Sequence, residues 1–386
     1  MNASPAGNPI YLDCNATTPV DLRVMTAMQP FFAQYFGNPS SQGHAYGWQA
    51  GAGVEKARET IASAIGAEPG EIVFTSGATE ANNLAIKGVA ESYMRDGKHI
   101  ITVQTEHSAV LEPCRYLESL GFSVTYLPVD ADGLIDLSTL RSAFQEDTIL
   151  VSVMAANNEI GVLQPIADIG QLCHERNVIF HTDAAQALGK VPLNVQQMNI
   201  DLLSMTAHKI YGPKGVGALY VRRRNPRVSL APQMHGGGQE KGLRSGTLQV
   251  PQIVGFGEAV RLAIEEMETE AIRLAALRDR LWEAISTLSG IHLNGHPTQR
   301  LPNNLSVSFD DVDGTALLSA LRSDIALSSG SACSSGSTTP SHVIKALGRS
   351  DRMARATLRF GLGRQTTKPD IEQTADKVLQ ALESLR

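Results

Sequence analysis

The sequence has no apolar run near the roughly 20 residues needed to cross a bilayer. Its longest is ILVSVMAA, residues 149–156, and the opening MNASPAGNPI has neither the basic stretch nor the apolar core of a secretory signal. A soluble, untargeted, cytoplasmic protein without a membrane partner is expected. Excess positive charge is also missing. Lys and Arg total 33 against 39 Asp and Glu, a net charge of −6, and the one basic cluster, VRRRNPR at 221–227, is short. Such a field repels a phosphate backbone, so nucleic acid is not an expected partner. Cysteine is sparse: Cys14, Cys114, Cys173 and Cys333 form no CxxC pair and no Cys/His spacing suited to zinc. That pattern excludes a disulfide framework and a structural metal site.

Several motifs are absent as well. There is no GxxxxGK[ST] and no GxGxxG after a strand, which removes the common nucleotide-binding readings. HGGG at 235–238 suggests an esterase oxyanion loop, but no GxSxG supplies the nucleophile. No internal repeat occurs, and the only low-complexity tract is the Ser/Gly run SSGSACSSGS around Cys333.

What is present is an ordinary globular chain of 386 residues, 42% hydrophobic and 19% charged, long enough for more than one core. From about 55 to 220, amphipathic helical runs alternate with short apolar ones: EIVFTSG, HIITVQTEH, SVTYLPVD, TILVSVMAANN, VIFHTDAAQ, DLLSMTAHK and GALYVRR. This alternation predicts an α/β fold with a mostly parallel sheet covered on both faces. Several apolar runs end in polar residues: Ser76, Thr79, His107, Asn157, Asn158, Asp183, Gln186, His208 and Lys209. In open α/β sheets the ligand crevice lies outside the carboxyl ends of the strands, so these groups read as one site. A helical stretch at about 251–288 then connects to a smaller α+β region containing NNLSVSF, TALLSALRS, IALSSG, ATLRFGLG and a final helix.

Each candidate has a plainer alternative. Lys209 is either a solvated lysine at a strand end or an amine desolvated enough to form a Schiff base. Asp183 caps the next helix, or holds a pyridine nitrogen protonated in a pyridoxal phosphate (PLP) site, with Gln186 on the same side near the ring's phenolic oxygen. Gly77, Ala78 and Thr79 open a helix whose N–H groups suit either an ordinary cap or a phosphate. Cys114 and Cys173 read as small buried hydrophobes, a reading that Cys333 lacks the apolar neighbours to share.

Taken together, YLDCNATTP, NPSSQGHAYG, FTSGATEANNLAIKG, TEHSAV, NNEIGVLQPI, HTDAAQALGK, AHKIYGPKGVGALY, MHGGGQEKGLRSGT, SSGSACSSGS and LRFGLGR, in this order from Tyr11 to Arg364, resemble the NifS/IscS-type cysteine desulfurases. These are fold type I, aspartate aminotransferase-like PLP enzymes. The resemblance implies a seven-stranded large domain at 16–259. It also implies a small domain at 1–15 and 260–386 that carries a catalytic loop at about 326–340. It implies that Lys209 binds PLP covalently, that Asp183 pairs with the pyridine nitrogen, and that Gln186 and Asn158 bond around the phenolic oxygen. His107 would stack on the ring and accept a thiol proton. Ala78, Thr79, Thr206 and His208 would hold the phosphate, with Thr247 reaching in from the other subunit of a homodimer. Arg359 would clamp the substrate carboxylate, with Asn158 also at the substrate, and Cys333 would take sulfur from L-cysteine as a persulfide for an acceptor such as an iron–sulfur scaffold.

Cys14 departs from the aromatic or other residue expected at its position, and a buried structural role is favoured for it. The chain ends at ALESLR, so the tail by which housekeeping relatives dock a scaffold is not expected here. A cysteine or cystine C–S lyase, a selenocysteine lyase, and a sulfur-binding scaffold with a degenerate site are the alternatives. The small residues around Cys333 predict a mobile loop that carries the thiol between substrate and acceptor.

Overall fold

A computed structural model describes residues 8–329 and 339–385. Its strands are β1 (Ile10–Tyr11), β2 (Ile72–Thr75), β3 (His99–Val103), β4 (Ser123–Leu127), β5 (Thr148–Ser152), β6 (Ile179–Asp183), β7 (Leu202–Thr206), β8 (Gly217–Val221), β9 (Ile291–Leu293), β10 (Asn304–Phe309), β11 (Ile325–Ala326) and β12 (Thr357–Gly361). The sheet β2-β8-β7-β6-β5-β3-β4 has seven strands, as expected. β8 alone runs against its neighbours β2 and β7.

The alternation of side chains explains why this sheet must lie between helices. On β8, Ala218 and Tyr220 enter one core while Leu219 and Val221 enter the other; Val151 and Leu150 divide in the same way on β5. Strands apolar on both faces need cover on both. The helix Ala78–Tyr93 contributes Ala81, Leu84 and Ile86 to one core. On the opposite side the helix Ala45–Ala64 brings Val54 and Ile61 to the other.

The expected connector is a single helix, Val250–Ile285, of 36 residues and about 54 Å at 1.5 Å per residue. Its first half gives Ile253, Phe256 and Val260 to the large-sheet core. Its second half gives Leu274, Leu281 and Ile285 to a separate core with β10, β12 and the helix Lys368–Leu385. The antiparallel sheet β12-β10-β9 and the parallel pair β1-β11 complete this second region. IALSSG forms only the two residues of β11, and Ser328 just beyond makes an isolated bridge to Arg359. No helix among the described residues is long and apolar enough to cross a membrane.

A polar link is buried inside the large sheet. His181 on β6 meets Ser152 Oγ on β5 through Nδ1 at 2.8 Å and Ser204 Oγ on β7 through Nε2 at 3.0 Å. Burial pulls its pKa down to about 4, with the charge of Asp183 opposing. The unfolded chain takes up this proton near pH 6.5 and the folded chain does not until about 4. Stability is therefore fully present above 6.5 and is lost as pH falls through that window, at up to about 1.4 kcal/mol per pH unit from this group. His181→Gln should flatten the fall in denaturation midpoint between neutral and acid pH; equal pH slopes for parent and variant would refute the assignment.

Candidate active site

Polar residues at the carboxyl ends of the strands converge on one cleft of about 520 Å³. Ala78, Thr79, His107, Asn158, Asp183, Gln186, Thr206, His208, Lys209 and Arg359 all line it. Thr247 does not: it is exposed, between Leu243 and the start of the long helix, and lies outside the cleft of its own chain. Cys333 and its predicted mobility fall outside the described residues.

The floor is set by Asp183, the last residue of β6 and 5% exposed. Its Oδ2 accepts from Asn82 Nδ2 at 2.7 Å and its Oδ1 from the Ala185 N–H at 2.9 Å. Beside it the Glu106 carboxyl is buried and its pKa driven well up, with the Met154 N–H opposing and Asp183 adding to the effect. Gln186 is held by Asn15, as donor of Nε2–H to the Asn15 carbonyl at 2.8 Å and as acceptor at Oε1 from Asn15 Nδ2 at 3.2 Å.

At one end of the cleft the helix Ala78–Tyr93 begins after Gly77, which offers no side chain to cap it. Its first N–H groups and the helix dipole therefore face the cleft beside Thr206 and His208, an arrangement that suits an anion. This helix start rests on β8 at very close range. A Cβ on Gly217 would lie 2.7 Å from Gly77 Cα and 2.4 Å from Met205 O, so only glycine permits the approach. His208 is kept neutral: burial, then Lys209, Lys214 and Lys190, lower its pKa to about 4, and its Nδ1 meets Thr17 Oγ1 at 3.1 Å.

His107 caps the helix Ser108–Ser119 by accepting the Ala109 N–H at Nδ1, 3.1 Å away. This lone pair is therefore committed, and in the neutral ring the proton sits on Nε2. Burial lowers its pKa, with Asp183 opposing and Lys209 and His342 adding. The cap fixes the orientation of the ring where it lines the cleft.

Arg359, 1% exposed on β12, donates through Nη2 to Asp13 Oδ1 at 2.7 Å and through Nη1 to the Asn158 carbonyl at 2.9 Å. Two of its five N–H groups are thereby used, and the planar fork is fixed with the rest still to be engaged. Asp13 Oδ1 also accepts from Ser328 Oγ at 2.9 Å, and Ser341 Oγ donates to Glu159 Oε2 at 2.5 Å. The described residues on both sides of 330–338 are thus tied to residues flanking the cleft.

Asn157, a strand-end candidate by sequence, is structural: its Nδ2 donates to the Thr105 carbonyl and its Oδ1 accepts from the N–H groups of Glu159 and Ile160. Cys14 is buried, and burial lifts its thiol pKa to about 12, so it is not a nucleophile at neutral pH. Sequence reasoning missed Asn82, Asn15, Asp13 and Lys190. Asn82 carried a signal, as an amide on the otherwise apolar inner face of its helix.

The Gly217 contact yields a test. Overpacking of this kind costs about 1–3 kcal/mol, so Gly217→Ala should weaken binding of a phosphate-bearing ligand at the helix start by roughly five- to 150-fold. An unchanged dissociation constant would mean that the close seat of the helix start does not serve the anion.

The Aminotransferase class-V pattern matches residues 10–374. The cysteine desulfurase IscS of Salmonella arizonae is 56% identical over 380 residues, covering 98% of this chain and 94% of that relative. A solved NifS-like protein superposes with a TM-score of 0.91 at 40% identity, covering 98% of this chain and 100% of its own. SspA, solved in complex with cysteine, gives a TM-score of 0.82 at 43% identity, covering 92% and 98%. The chain therefore belongs to the class-V aminotransferase family, among its NifS/IscS-type cysteine desulfurases.

Proposed function

We propose that the chain removes sulfur from L-cysteine, releasing L-alanine and passing the sulfur through Cys333 to an acceptor. The observation that carries this reading is the convergence of Lys209, Asp183, His107 and Arg359 in one cleft, in a chain of the cysteine desulfurase family. Relatives named cysteine desulfurases favour it over a C–S lyase or a selenocysteine lyase. The family is PLP-dependent, and the residues present fit PLP. An uncapped helix start awaits a phosphate, and a buried carboxylate held by neutral donors awaits a cation. Beside that carboxylate, Asn82 Oδ1 is buried without a hydrogen-bond partner.

In this reading Lys209 carries PLP, Asp183 pairs with its ring nitrogen and His107 covers one face. Gln186 and Asn158 meet the phenolic oxygen, and Ala78, Thr79, Thr206 and His208 hold the phosphate. When bound, PLP supplies an electron sink that acidifies the substrate's Cα–H and loosens its C–S bond. Arg359 grips the substrate carboxylate with the N–H groups that Asp13 and Asn158 leave over, and Asn158 orients the bound substrate. The Lys209 amine moves the proton at Cα. His107, a neutral imidazole, accepts the proton of the substrate or enzyme thiol. The Cys333 thiolate attacks the substrate sulfur, so that an S–S bond forms as the C–S bond breaks. L-cysteine and a thiol become L-alanine and a persulfide, with atoms and electrons balanced.

The same reading divides the chain into a large unit, 16–259, and a small one, 1–15 with 260–386. Two separate hydrophobic cores joined by one long helix support that division. It also makes the enzyme a homodimer in which Thr247, exposed and outside its own cleft, completes the partner's phosphate site. The persulfide acceptor is read as a protein such as an iron–sulfur scaffold. Cytoplasmic placement is supported by the bacterial IscS relatives and by the free thiols Cys14, Cys114 and Cys173.

Incubation with L-cysteine and no reductant should add the mass of one sulfur atom to the Cys333 peptide, and Cys333→Ala should abolish alanine release. Alanine release by Cys333→Ala at the parent rate would overturn the mechanism. Because burial lowers the His107 pKa, the neutral imidazole persists below its ordinary 6.5. The acid limb of the kcat profile due to His107 should accordingly lie below pH 6.5 and vanish in His107→Gln; an unchanged profile in the variant would remove His107 from proton transfer.

A further inference from the structure

Gln186 is held in place by a side chain that takes no part in the mechanism above. Lys190 lies four residues on, and its Nζ donates to Gln186 Oε1 at 3.1 Å. Asn15 Nδ2 donates to the same oxygen, and Gln186 Nε2 donates to the Asn15 carbonyl. A lysine ammonium has only hydrogens to offer, so the amide atom beside it must be oxygen and the nitrogen must lie on the other side. Two donors then fill Oε1, and one Nε2 hydrogen is used on Asn15. The second Nε2 hydrogen is the one polar contact that Gln186, a cleft-lining residue, has left to give.

The chain is bent to bring this about. Gly189, at φ +68°, sits where a Cβ would come within 2.6 Å of Ala263 Cβ, and its turn returns Lys190 toward Gln186. Lys190 occupies a small cavity behind Lys209, which Cys14, Tyr211, Glu266, Glu270 and Arg364 also line. Burial, then Lys209, opposed by Cys14, with Arg359 adding, bring the Lys190 pKa down to about 7. Charged or neutral, the amine keeps N–H donors, so the hold on Oε1 survives its titration.

We propose that Lys190 is a positioning residue that locks the Gln186 amide with its Nε2 toward the cleft, where it donates to the phenolic oxygen of bound PLP. The inference rests on the reading of Gln186 as the group at that oxygen. Without Lys190 the amide keeps only its two hydrogen bonds to Asn15, and the orientation that points Nε2 into the cleft is held less firmly.

The test uses the absorption spectrum of the purified holoenzyme and the affinity of the apo-protein for PLP, neither of which depends on turnover. Lys190→Met keeps the length of the side chain and removes the donor. It should shift the band of bound PLP and raise the dissociation constant about tenfold. Lys190→Gln, a donor without charge, should restore both. Gln186→Ala should reproduce the shift of Lys190→Met, and the double variant should add nothing further. If the methionine disturbs packing, Lys190→Ala leaves room for water and carries the same expectation. A shift in Gln186→Ala with parental spectrum and affinity in Lys190→Met overturns the proposal. No shift in Gln186→Ala itself overturns instead the reading of Gln186 on which it stands.

Discussion

A buried carboxylate that only a cation can balance governs this cleft. Asp183 ends β6 with 5% exposure, and its two hydrogen bonds come from neutral groups, the Asn82 amide and the Ala185 N–H. Removal of a charge from water is costly unless a counter-charge replaces the lost hydration. In the proposed reading a bound pyridinium would meet that requirement, with the helix start after Gly77 to hold the phosphate and the Gln186 amide to meet the phenolic oxygen. The cations Lys209, Lys190 and Arg359 act on one another within the cleft and the cavity behind it. Burial, with repulsion from the neighbouring cations, brings the Lys190 pKa down to about 7, and burial with the nearby lysines brings that of His208 down to about 4.

Arg359, which lines the cleft, is linked through Asp13 to Ser328, two residues before the segment 330–338. Its fork is fixed by Asp13 and by the Asn158 carbonyl, and Asp13 in turn accepts from Ser328. On the far side of 330–338, Ser341 is held by Glu159, and His342 Nε2 is hydrogen-bonded to the Glu106 carbonyl. The described residues on either side of 330–338 are therefore bonded to residues beside the cleft. The fork proposed for the substrate carboxylate is thus the one that anchors Asp13, and through it Ser328.

Much of this was legible in the sequence, and the parts that were not have physical reasons. The βα alternation and the polar residues closing the apolar runs located the sheet and its ligand edge, because strand ends in such sheets face solvent and ligand together. The direction of β8 left no trace: a strand buried on both faces reads as GALYV whichever way it runs. Asn157 and Asn158 are adjacent and chemically identical, and only the fold decides that the first braces a turn while the second lines the cleft. Asn15 and Asp13 act through contacts across 171 and 346 residues, so no local pattern links them to the site, whereas Lys190 lies four residues from Gln186 and only the turn between them brings the two side chains together. His107 was visible as a functional histidine, but its tautomer depends on an N–H two residues further on whose position only the helix start determines.

The most direct test of the central claim concerns the PLP ring nitrogen proposed to pair with Asp183. Nitrogen-15 NMR of the holoenzyme loaded with PLP labelled at that nitrogen should report a protonated pyridinium throughout the neutral pH range, and a neutral nitrogen in Asp183→Asn. A neutral ring nitrogen in the parent enzyme would contradict the account, because the buried carboxylate would then face no counter-charge and some other interaction would have to organise the cleft.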